Sequence, residues 1–540
     1  MRGSSTGNGL SLGLFEHPLA LLTAAPAAVV IVAAIADRFA LPAKVWRGSR
    51  PVRSPAATAV DFAAWIAVVL LVYALFFAIS WRPLYALAGS LSTFIIFTLI
   101  SRAKFQFIRE PLVFSDVALA FLVLRHKEMF YATWLNVAFW VVALGYVFGA
   151  SALFMIFEEP ILPGVAQELA IAAVLVAAAA PGLLLFLSGI RQPLAGLSAA
   201  LIGKDDIKTL TVRLGTSAAL LYGFLAWLGR REAPRLRPAA SSLSGAAAPV
   251  DAAGKGDMPL LVVWQSESFM DMRHFGVKLA LPNLDRLRRR AVEWGRMSSV
   301  FEGGYTLRTE FSVISGLPPE ALGPDASYPY LRAAAYSEIA WPNRLRKAGW
   351  NTHFLHPYDR RFFSRDRALP LLGFEAMTML DGFEHDPRHQ GPYVSDMTLS
   401  ERLLDLCRGD GSKGQFLFAA SVENHGPWRP SPRGGGEPLD IYLAILQRSD
   451  AALGFLADEL DRLDRPVWLA FYGDHAPILK SFADPFPDPR TDYVIVPMAR
   501  AAEGAAPQPS PVEKAPWELI ADMVRHAGLR GPLADAGGAR

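Results

Sequence analysis

Long apolar runs dominate the first part of the chain, and shorter mixed patterns fill the rest. A membrane-spanning helix needs about 20 consecutive, mostly apolar residues. Five stretches within residues 1–190 approach or exceed this length: 18–36, 58–80, 84–101, 132–156 and 166–190. The pattern therefore predicts a transmembrane α-helical domain over residues 1–190 with about five spans.

Three further stretches in and after this region are less regular. Segment 105–130 is apolar but broken by charges, and we interpret it as a re-entrant or interfacial helix. Residues 214–228 are apolar but short and flanked by arginines, which favours an interfacial helix over a sixth span. Residues 239–256 are rich in Ala, Ser, Gly and Pro and predict a flexible linker. Residues 191–257 are therefore expected to hold an interfacial helix and a linker.

From about residue 258 the pattern changes to short apolar runs that alternate with helical segments. Buried strands are predicted at 260–264, 351–355, 415–419, 467–471 and 493–496. Helices are predicted between them, for example at 282–294 and 442–463. This alternation indicates an α/β domain over residues 258–530 with a mostly parallel central sheet covered on both faces.

Composition narrows the class of protein. The mean hydropathy of +0.26 over 540 residues supports membrane segments. A net charge of +3, without a basic stripe carrying interleaved aromatics, argues against a nucleic-acid partner. The single cysteine, Cys407, excludes an internal disulfide. The first apolar stretch has no small-residue cleavage pattern and is expected to be an anchor.

The charge pattern leaves the orientation in the membrane open. The loop after the first span carries several Arg and Lys residues between 38 and 53, which favours a cytoplasmic position for that loop. Five spans would then leave the α/β domain inside, whereas six spans would place it outside. Five spans with an inside N-terminus also place it outside but conflict with the charge rule.

Carboxylates and histidines follow four of the predicted strands. Glu267 follows the first, His356 the second, His425 the third, and the pair Asp474-His475 the fourth. Carboxyl ends of parallel strands meet at one edge of a sheet, so we expect these side chains to converge. Carboxylate and neutral imidazole ligate Zn, Mn and related divalent ions. Taken singly, each residue has an ordinary structural explanation as a turn cap or a packed histidine.

A hydroxyl in a glycine-preceded loop completes the predicted chemistry. Thr306 follows Gly303-Gly304, which let backbone and substrate approach closely, and a metal can activate such a hydroxyl for attack. Thr309 is the alternative in the same loop. Arg365 follows the second strand in a loop suited to phosphate.

In order along the chain, these motifs resemble the lipoteichoic acid synthase-like phosphoglycerol transferases of the alkaline-phosphatase/sulfatase-like superfamily. The resemblance covers about residues 258–500. It rests on the following segments: Glu-Ser-Phe at 267–269, PNLDRL at 282–287, Thr-x-x-x-Glu-Phe at 306–311, His356 with FSRD at 363–366, Asn-His at 424–425 and Gly-Asp-His at 473–475.

The resemblance implies a role for each matched residue. Glu267, Thr306, Asp474 and His475 would hold one divalent ion, with Mn²⁺ expected and Mg²⁺ or Zn²⁺ as alternatives. Thr306 would be the nucleophile that becomes phosphoryl-linked. His425 would be catalytic and would help the leaving group depart as a protonated histidine. The substrate-binding residues implied by the resemblance are Arg365, His425, His356 and Phe363. Phe363 stands where the family usually has Trp.

The resemblance also implies a function. It predicts a phosphoglycerol transferase in the cell (inner) membrane, with five spans, an inside N-terminus and an extracytoplasmic catalytic domain. Its partners would be the lipid bilayer, a phospholipid donor such as phosphatidylglycerol, and a glycan or polymer acceptor. The alternatives are a phosphoethanolamine transferase, whose relatives usually carry disulfides, and a non-catalytic membrane sensor or assembly protein. A sulfatase is disfavoured, because 306–308 lacks the Cys/Ser-x-Pro-x-Arg setting.

Overall fold

The chain forms two compact units, and each is described by itself. A computed structural model describes residues 18–126, 129, 137–162, 164–230, 258–301, 303–409, 411–429, 436–502, 506–507 and 510–529. The first unit comprises Met1–Asp116 and Thr133–Arg231, and the second comprises Val117–Ala132 and Glu232–Arg540. The predicted linker at 239–256 lies outside the described residues.

Helices make up the first unit. Polar caps define where several begin: the Ser54 hydroxyl accepts a hydrogen bond from the Ala57 amide, and Pro55 occupies the first turn. Asp206 caps a later helix by accepting from the amides of Lys208 and Thr209. The helices are α1 (Pro18–Phe39), α2 (Ala43–Gly48), α3 (Pro55–Ser80), α4 (Pro83–Ile108), α5 (Asp116–Arg125, which continues into the second unit), α6 (Val137–Phe157), α7 (Ala166–Phe186), α8 (Ser188–Ile202) and α9 (Ile207–Gly229).

Five apolar helices confirm the predicted membrane-type N-terminal region. Among the described residues, the helices long and apolar enough to cross a membrane are Ala20–Phe39, Pro55–Ser80, Pro83–Ile108, Val137–Phe157 and Ile207–Gly229. The span predicted at 166–190 forms α7, whose described apolar segment is the shorter Ala166–Ala177. Helix α7 as a whole is 21 residues long, and α9, which the sequence pattern favoured as an interfacial helix at 214–228, is long and apolar enough to cross a membrane.

Helix α9 is longer than the 214–228 helix expected from the sequence, and it is broken. Gly215 has φ 71° and ψ 167°, which interrupts the helix. The Asp37 carboxylate accepts hydrogen bonds from the Thr216 amide at 2.8 Å and from the Trp65 indole at 2.9 Å. A Cβ at Gly215 would lie 2.1 Å from Asp37 Oδ2, so only glycine fits at this break. The sequence does not reveal this break, because Gly215 lies within a long apolar run of the kind that predicts a continuous helix.

A seven-stranded mixed sheet forms the centre of the second unit, which confirms the predicted, mostly parallel α/β domain. The spatial order is β2-β7-β6-β1-β5-β3-β4. The pairs β1–β5, β1–β6, β3–β5 and β3–β4 are parallel, whereas β6–β7 and β2–β7 are antiparallel. The strands are β1 (Leu260–Ser266), β2 (Glu293–Met297), β3 (Asn351–Leu355), β4 (Ala376–Thr378), β5 (Gln415–Ala420), β6 (Pro466–Gly473) and β7 (Thr491–Ala499).

Helices connect and cover these strands. The α-helices of the second unit are α10 (Pro282–Arg290), α11 (Thr306–Ser315), α12 (Pro319–Leu322), α13 (Trp341–Lys347), α14 (Arg365–Leu371), α15 (Pro387–Gln390), α16 (Asp396–Cys407), α17 (Pro438–Leu460) and α18 (Leu519–His526). Short 3₁₀ helices occupy Met272–Phe275, Gly323–Asp325, Pro329–Tyr336, Phe362–Ser364, Leu380–Gly382, Arg500–Ala502 and Pro516–Glu518.

All five predicted strands are present, and two strands were not predicted. β2 and β4 are short, and they carry too few apolar residues to stand out from their surroundings. The helix predicted at 282–294 ends at Arg290, because Ala291 adopts an extended conformation and the chain then enters β2. Because the end of this helix and the strand that follows both carry charged residues, the pattern of apolar and polar positions does not change where the helix ends.

The core of the second unit fixes the central strands in place. Every residue of β1 is buried. Trp264 and Phe471 pack edge to face with ring centroids 5.6 Å apart, and leucines of α10, α16 and α17 join the same cluster. Cys407 is buried in this cluster as a free thiol, and burial raises its pKa to about 12. The ends of β1 and β6 therefore project from a tightly packed sheet.

Candidate active site

Four parallel strands end at one edge of the sheet and deliver the predicted site residues there. Registers pair Ser266 with Gly473 and Gln265 with Ala420. Leu355 pairs with Ala419. Because the strands run in the same direction, the residues that follow them emerge at neighbouring positions on one edge. Sequence reasoning placed the site at this edge, and the structure brings its residues together there.

Glu267, Asp474 and His475 form a buried cluster of possible metal ligands, their ligand atoms lying within 4.8 Å of one another. His475 Nε2 lies 3.5 Å from Glu267 Oε1 and 3.4 Å from Asp474 Oδ2. The Thr306 hydroxyl donates to Glu267 Oε2 at 3.2 Å and lies 3.3 Å from His475 Nε2. All four residues predicted as ligands therefore lie together around one small volume.

Backbone features lock the two ligand-bearing turns against each other. Ser268 has a left-handed φ of 51°, which is uncommon for a residue with a side chain and typical of functional turns. Its amide donates to Asp474 Oδ1 at 2.7 Å, and its hydroxyl donates to Glu267 Oε1 at 2.8 Å. A Cβ at Gly473 would lie 1.9 Å from the Phe269 carbonyl oxygen. Glycine is thus required for β6 to approach the turn after β1.

The electrostatics of the cluster suit the binding of a divalent cation. Burial, followed by the negative charge of Glu267, raises the pKa of Asp474 to about 7. Asp474 Oδ2 is buried with no hydrogen-bond partner among the described residues. Burial lowers the pKa of His475, but Asp474 and Glu267 more than offset this and the pKa is raised overall. Two buried carboxylates, an imidazole and a hydroxyl around one small volume match the ligand chemistry of one divalent ion.

The imidazole of His475 is oriented to present one nitrogen to this volume. Its Nδ1 lies 3.0 Å from the Ala476 carbonyl oxygen, which assigns the proton to Nδ1. Nε2 is then an acceptor that faces the carboxylates. A carbonyl that fixes the tautomer of a histidine in this way is a common feature of metal-binding sites.

Thr306 stands at the first position of helix α11 and is partly exposed. Amide groups at a helix N-terminus favour negative charge, so this position suits an oxygen nucleophile and a phosphoryl group. Gly304 lies close by, where a Cβ would be 2.7 Å from Ile478 and 3.4 Å from His475. Thr309, the alternative in the same segment, is buried within the helix.

Arg365 is held by a buried ion pair whose partner the sequence did not suggest. Its guanidinium donates to both carboxylate oxygens of Glu310, at 3.0 Å and 2.9 Å. Tyr330 donates to the same carboxylate at 2.6 Å. Arg365 Nη1 is buried without a hydrogen-bond partner among the described residues. Glu310 on α11 therefore holds Nε and Nη2 of Arg365, and Nη1 is the donor that another group could use.

Two other predicted substrate residues, His356 and Phe363, lie near enough to Arg365 to interact with its charge. His356 Nδ1 lies 2.9 Å from the Ala420 carbonyl oxygen, and its Nε2 is buried without a partner in the described chain. Burial, followed by the charge of Arg365, lowers the pKa of His356 well below its usual value. The Phe363 ring lies 5.3 Å from the Arg365 guanidinium and packs against Tyr305, and its φ of 57° is left-handed.

His425 is neutral in this arrangement. Its Nδ1 lies 2.6 Å from the Gly426 carbonyl oxygen. Burial lowers its pKa to about 4, with His475 lowering it further and Asp474 raising it. At neutral pH the ring therefore carries one proton, on Nδ1. The role that the resemblance implies for His425, protonation of the leaving group, stays a prediction.

A polar group behind Glu267 was also missed by sequence reasoning. Ser421, directly after β5, accepts a hydrogen bond from the Glu267 amide at 3.0 Å and donates its own amide to the Gln265 carbonyl. The signal available was a run of polar residues at the end of a buried strand. Such a run requires partners, although sequence alone does not say which.

The second unit contains another group of acidic residues with a histidine, namely Asp271, His274 and Asp492. Here Arg288 donates to Asp271 and to Asp492, each at 2.8 Å, and Arg273 donates to Asp271 at 2.8 Å. Burial alone would raise the pKa of Asp271, but the two guanidinium groups hold it well below its usual range. These carboxylates are already neutralised by arginine.

Comparison with known proteins defines the class. The Sulfatase family model matches residues 259–521. The capsular polysaccharide biosynthesis protein RkpI of Rhizobium meliloti (strain 1021) is 52% identical over 529 residues, covering 97% of this chain and 98% of RkpI. The chain therefore belongs to the same family as RkpI, and its C-terminal unit is a sulfatase-like domain. The predicted superfamily is confirmed.

Solved structures with a similar fold include two phosphoglycerol or lipoteichoic acid enzymes. Streptococcus pyogenes phosphoglycerol transferase GacH is 21% identical, covering 55% of this chain and 81% of its own, with a TM-score of 0.43. Listeria monocytogenes lipoteichoic acid synthase LtaP is 19% identical, covering 54% and 78%, with a TM-score of 0.40. The soluble domain of Neisseria meningitidis lipooligosaccharide phosphoethanolamine transferase A is 11% identical, covering 53% and 95%, with a TM-score of 0.38. Similarities at these TM-scores do not distinguish between substrates.

Proposed function

We propose that this protein is a membrane-anchored, metal-dependent phosphotransferase that moves phosphoglycerol from a phospholipid, phosphatidylglycerol, to a glycan or polymer acceptor. The observation that carries the proposal is the position of Thr306 Oγ1, within 3.2–3.3 Å of Glu267 and His475 at the start of a helix. A glycan acceptor is favoured by the family relationship to RkpI, which is described as a capsular polysaccharide biosynthesis protein.

Glu267, Asp474, His475 and Thr306 would hold one divalent ion, with Mn²⁺ as the proposed metal and Mg²⁺ or Zn²⁺ as alternatives. When bound, the ion supplies positive charge that lowers the pKa of the threonine hydroxyl and stabilises negative charge on phosphoryl oxygens. The uncompensated carboxylate of Asp474 supports this assignment.

The transfer takes place in two steps. In the first, Thr306 Oγ1 attacks the phosphorus, the bond to the diacylglycerol oxygen breaks, and phosphoglycerol stays on the threonine. The threonine proton is released, and the departing diacylglycerol oxygen takes up one proton. In the second, an acceptor hydroxyl loses its proton and attacks the same phosphorus, the bond between phosphorus and Thr306 Oγ1 breaks, and the threonine oxygen takes up one proton.

His425 would handle the protons in both steps. With its pKa near 4 and its Nδ1 proton directed at the Gly426 carbonyl, it is a base in the resting site. It therefore suits removal of the proton from the acceptor hydroxyl. It can protonate diacylglycerol only after the anionic donor lipid has raised its pKa, because a nearby negative charge favours the imidazolium.

Arg365, His356 and Phe363 form the proposed substrate-binding group. The Nη1 donor of Arg365 suits a phosphate oxygen. His356 donates through Nδ1 to Ala420, so its Nε2 is an acceptor suited to a hydroxyl of the headgroup. Phe363 supplies an apolar surface beside the guanidinium.

We also propose that the protein lies in the cell (inner) membrane with the catalytic unit on the extracytoplasmic side. The five apolar helices support anchoring in a bilayer, where the donor lipid is found. Transfer of a headgroup from a phospholipid to a surface glycan requires the donor lipid and the acceptor glycan to meet on the outer side of that membrane.

The test uses the full-length protein in vesicles that contain labelled phosphatidylglycerol or labelled phosphatidylethanolamine, with Mn²⁺ added. We expect diacylglycerol from phosphatidylglycerol and a phosphoglycerol adduct on the peptide containing Thr306, both detected by mass spectrometry. Release from phosphatidylethanolamine instead would identify a phosphoethanolamine transferase. Release from neither lipid would contradict the proposal and favour a non-catalytic role.

The matched variants are Thr306→Val and Thr309→Val, which remove hydroxyl groups three residues apart on the same helix. Only the first should abolish the adduct and reduce turnover by about a thousandfold, the usual size of a nucleophile loss. Wild-type turnover by Thr306→Val would remove Thr306 from the mechanism.

A further inference from the structure

Helix α5 presents an apolar stripe to its surroundings. Val117 is 75% exposed and Leu124 39% exposed, and Ala120 between them is also exposed. These positions are three and four residues apart, so they lie on one face of the helix. Leu119, on another face, is buried. A helix in contact with water normally shows the opposite arrangement, with polar residues outward.

The end of α5 and the residue after it are fixed to a loop of the second unit, to which Val117–Ala132 belongs. His126 Nδ1 lies 3.0 Å from the Tyr358 hydroxyl, and the Arg125 guanidinium lies 3.0 Å from an Asp359 carboxylate oxygen. The His126 ring also packs edge to face against Phe362 with centroids 5.4 Å apart. A hydrogen bond, an ion pair and a ring contact thus join the C-terminal end of α5 to the loop at 358–362.

The same loop carries the proposed substrate residues. The ring of Tyr358 lies 6.2 Å from that of His356, and Phe362 packs on Phe363 at 4.2 Å. Phe363 in turn lies over the Arg365 guanidinium. A chain of direct contacts therefore runs from the end of α5 to the group proposed to bind phosphate.

The position of α5 in the sequence indicates what covers its apolar stripe. It lies between α4 and α6, both long and apolar enough to cross a membrane. Seven residues separate α4 from α5 and eleven separate α5 from α6. When α4 and α6 cross a membrane, connections of this length keep α5 close to the lipid surface. An apolar stripe in such a segment is the pattern of a helix that lies in the membrane interface.

We propose that α5 lies on the lipid surface through Val117, Ala120 and Leu124, and that Arg125 and His126 hold the substrate loop 358–365 at that surface to receive phospholipid headgroups. The partner is a phospholipid bilayer. The lipid contact stands independently, whereas the headgroup delivery rests on the function proposed above.

The lipid contact is tested by fluorescence quenching. Because Cys407 is the chain's sole cysteine and is buried, Leu124→Cys can be labelled selectively with an environment-sensitive fluorophore. Leu331→Cys is the matched control, since Leu331 is 41% exposed in the same unit. In vesicles containing brominated phospholipid, we expect strong quenching at 124 and none at 331. Equal quenching at both positions, or no quenching at 124, would overturn the proposal. Quenching that is lost on dilution would overturn it as well, because a second copy of the chain would then be what covers the stripe.

The delivery role is tested by Tyr358→Phe and Asp359→Asn, which remove the groups that meet His126 and Arg125. Turnover of phosphatidylglycerol in vesicles should fall about tenfold, the size of one charge-assisted hydrogen bond. Turnover of a short-chain phosphatidylglycerol dissolved below its micelle concentration should change less than twofold. Arg360→Ala is the control, because the Arg360 side chain lies in the same loop as Tyr358 but forms an exposed ion pair with Asp381.

The outcomes separate the two proposals. An equal fall for both donors would mean that the contact only shapes the site, and would overturn the delivery role. Wild-type protein that turns over neither donor, with quenching at 124 intact, would defeat the proposed function while leaving the lipid contact standing.

Discussion

Two clusters of the same composition lie in the second unit, and they have opposite electrostatics. Each contains two carboxylates and one histidine with ligand atoms close enough for a metal ion: Glu267, Asp474 and His475 in one, Asp271, His274 and Asp492 in the other. In the first, burial and like charge raise the pKa of Asp474 to about 7. In the second, Arg273 and Arg288 lower the pKa of Asp271.

The difference shows that ligand types and spacing alone do not identify a metal site. Arginines complete the charge balance of the Asp271 cluster within the chain itself. In the Glu267 cluster, Asp474 Oδ2 accepts no hydrogen bond from the part of the chain that the structure describes, and the Thr306 hydroxyl lies beside the carboxylate of Glu267. The chain thus leaves the charge balance of one cluster incomplete, and a cation would complete it.

The largest expected effect separates the two clusters directly. Asp474→Asn should remove bound metal and reduce lipid turnover by about a thousandfold or more, because it removes a ligand and half of the negative charge. Asp492→Asn is the matched change in the other cluster and should leave the metal content unchanged. Elemental analysis of both purified variants, together with diacylglycerol release, measures the difference. Full metal content in Asp474→Asn would mean that the ion lies elsewhere.

The second prediction concerns the arginine-compensated cluster. Arg288→Met should destabilise the fold by about 3 kcal/mol, because it leaves two buried carboxylates without their shared partner. The free energy of unfolding from denaturant titration measures this change. Bound metal per protein should stay at the wild-type level. A loss of bound metal in Arg288→Met as large as that expected in Asp474→Asn would show that the two clusters are not independent.

Metal addition provides the third test. A ligand that binds only the folded state stabilises it by about 2.7 kcal/mol at a hundredfold excess over its Kd. We expect Mn²⁺ to raise the unfolding temperature of the wild type, and a chelator to reverse this. The same addition should have no effect on Asp474→Asn and a normal effect on Asp492→Asn. Stabilisation that survives in Asp474→Asn would assign the ion to other residues.

The smallest expected effect is the dependence of metal affinity on pH. With its pKa raised to about 7, Asp474 in the metal-free site must lose a proton to bind a cation. Affinity should therefore fall about tenfold for each pH unit below 7 and level off above it. Titration of Mn²⁺ at several pH values measures this slope.

The same pH range should leave the other cluster unaffected. The folded-state pKa of Asp271 is lowered, so its contribution to stability is present above the ordinary aspartate pKa of about 4. That contribution is lost only as the pH falls through the lower folded-state value. An unfolding free energy that dropped between pH 7 and 5 in the Asp474→Asn variant would contradict this assignment.

Much of this arrangement could be predicted from sequence, for identifiable reasons. Buried parallel strands such as β1 and β6 read as continuous apolar runs, and the polar residues that interrupt them, Glu267 and Asp474, mark the functional edge. The spacing of Thr306 after two glycines likewise indicated the nucleophile loop. These features depend on local composition, which the sequence displays directly.

The features that sequence missed depend on contacts between distant segments. Glu310 pairs with Arg365, 55 positions further along the chain. The Gly215 break in α9 is stabilised by Asp37 from another helix. The lowered pKa of His425 follows from desolvation by distant segments, which the neighbouring residues in the sequence do not reveal. Local patterns carry no information about such pairings.

The absent side chain at Gly473 has a consequence for how the choice of ion can change. Its Cα sits so close to the Phe269 carbonyl that any larger residue would push β6 away from the turn after β1. The separation of the carboxylates is thereby set by the stagger of the sheet rather than by adjustable loops. An attempt to widen the cavity for a larger cation would have to shift whole strands, whereas exchanging one donor atom for another could retune selectivity without moving the backbone.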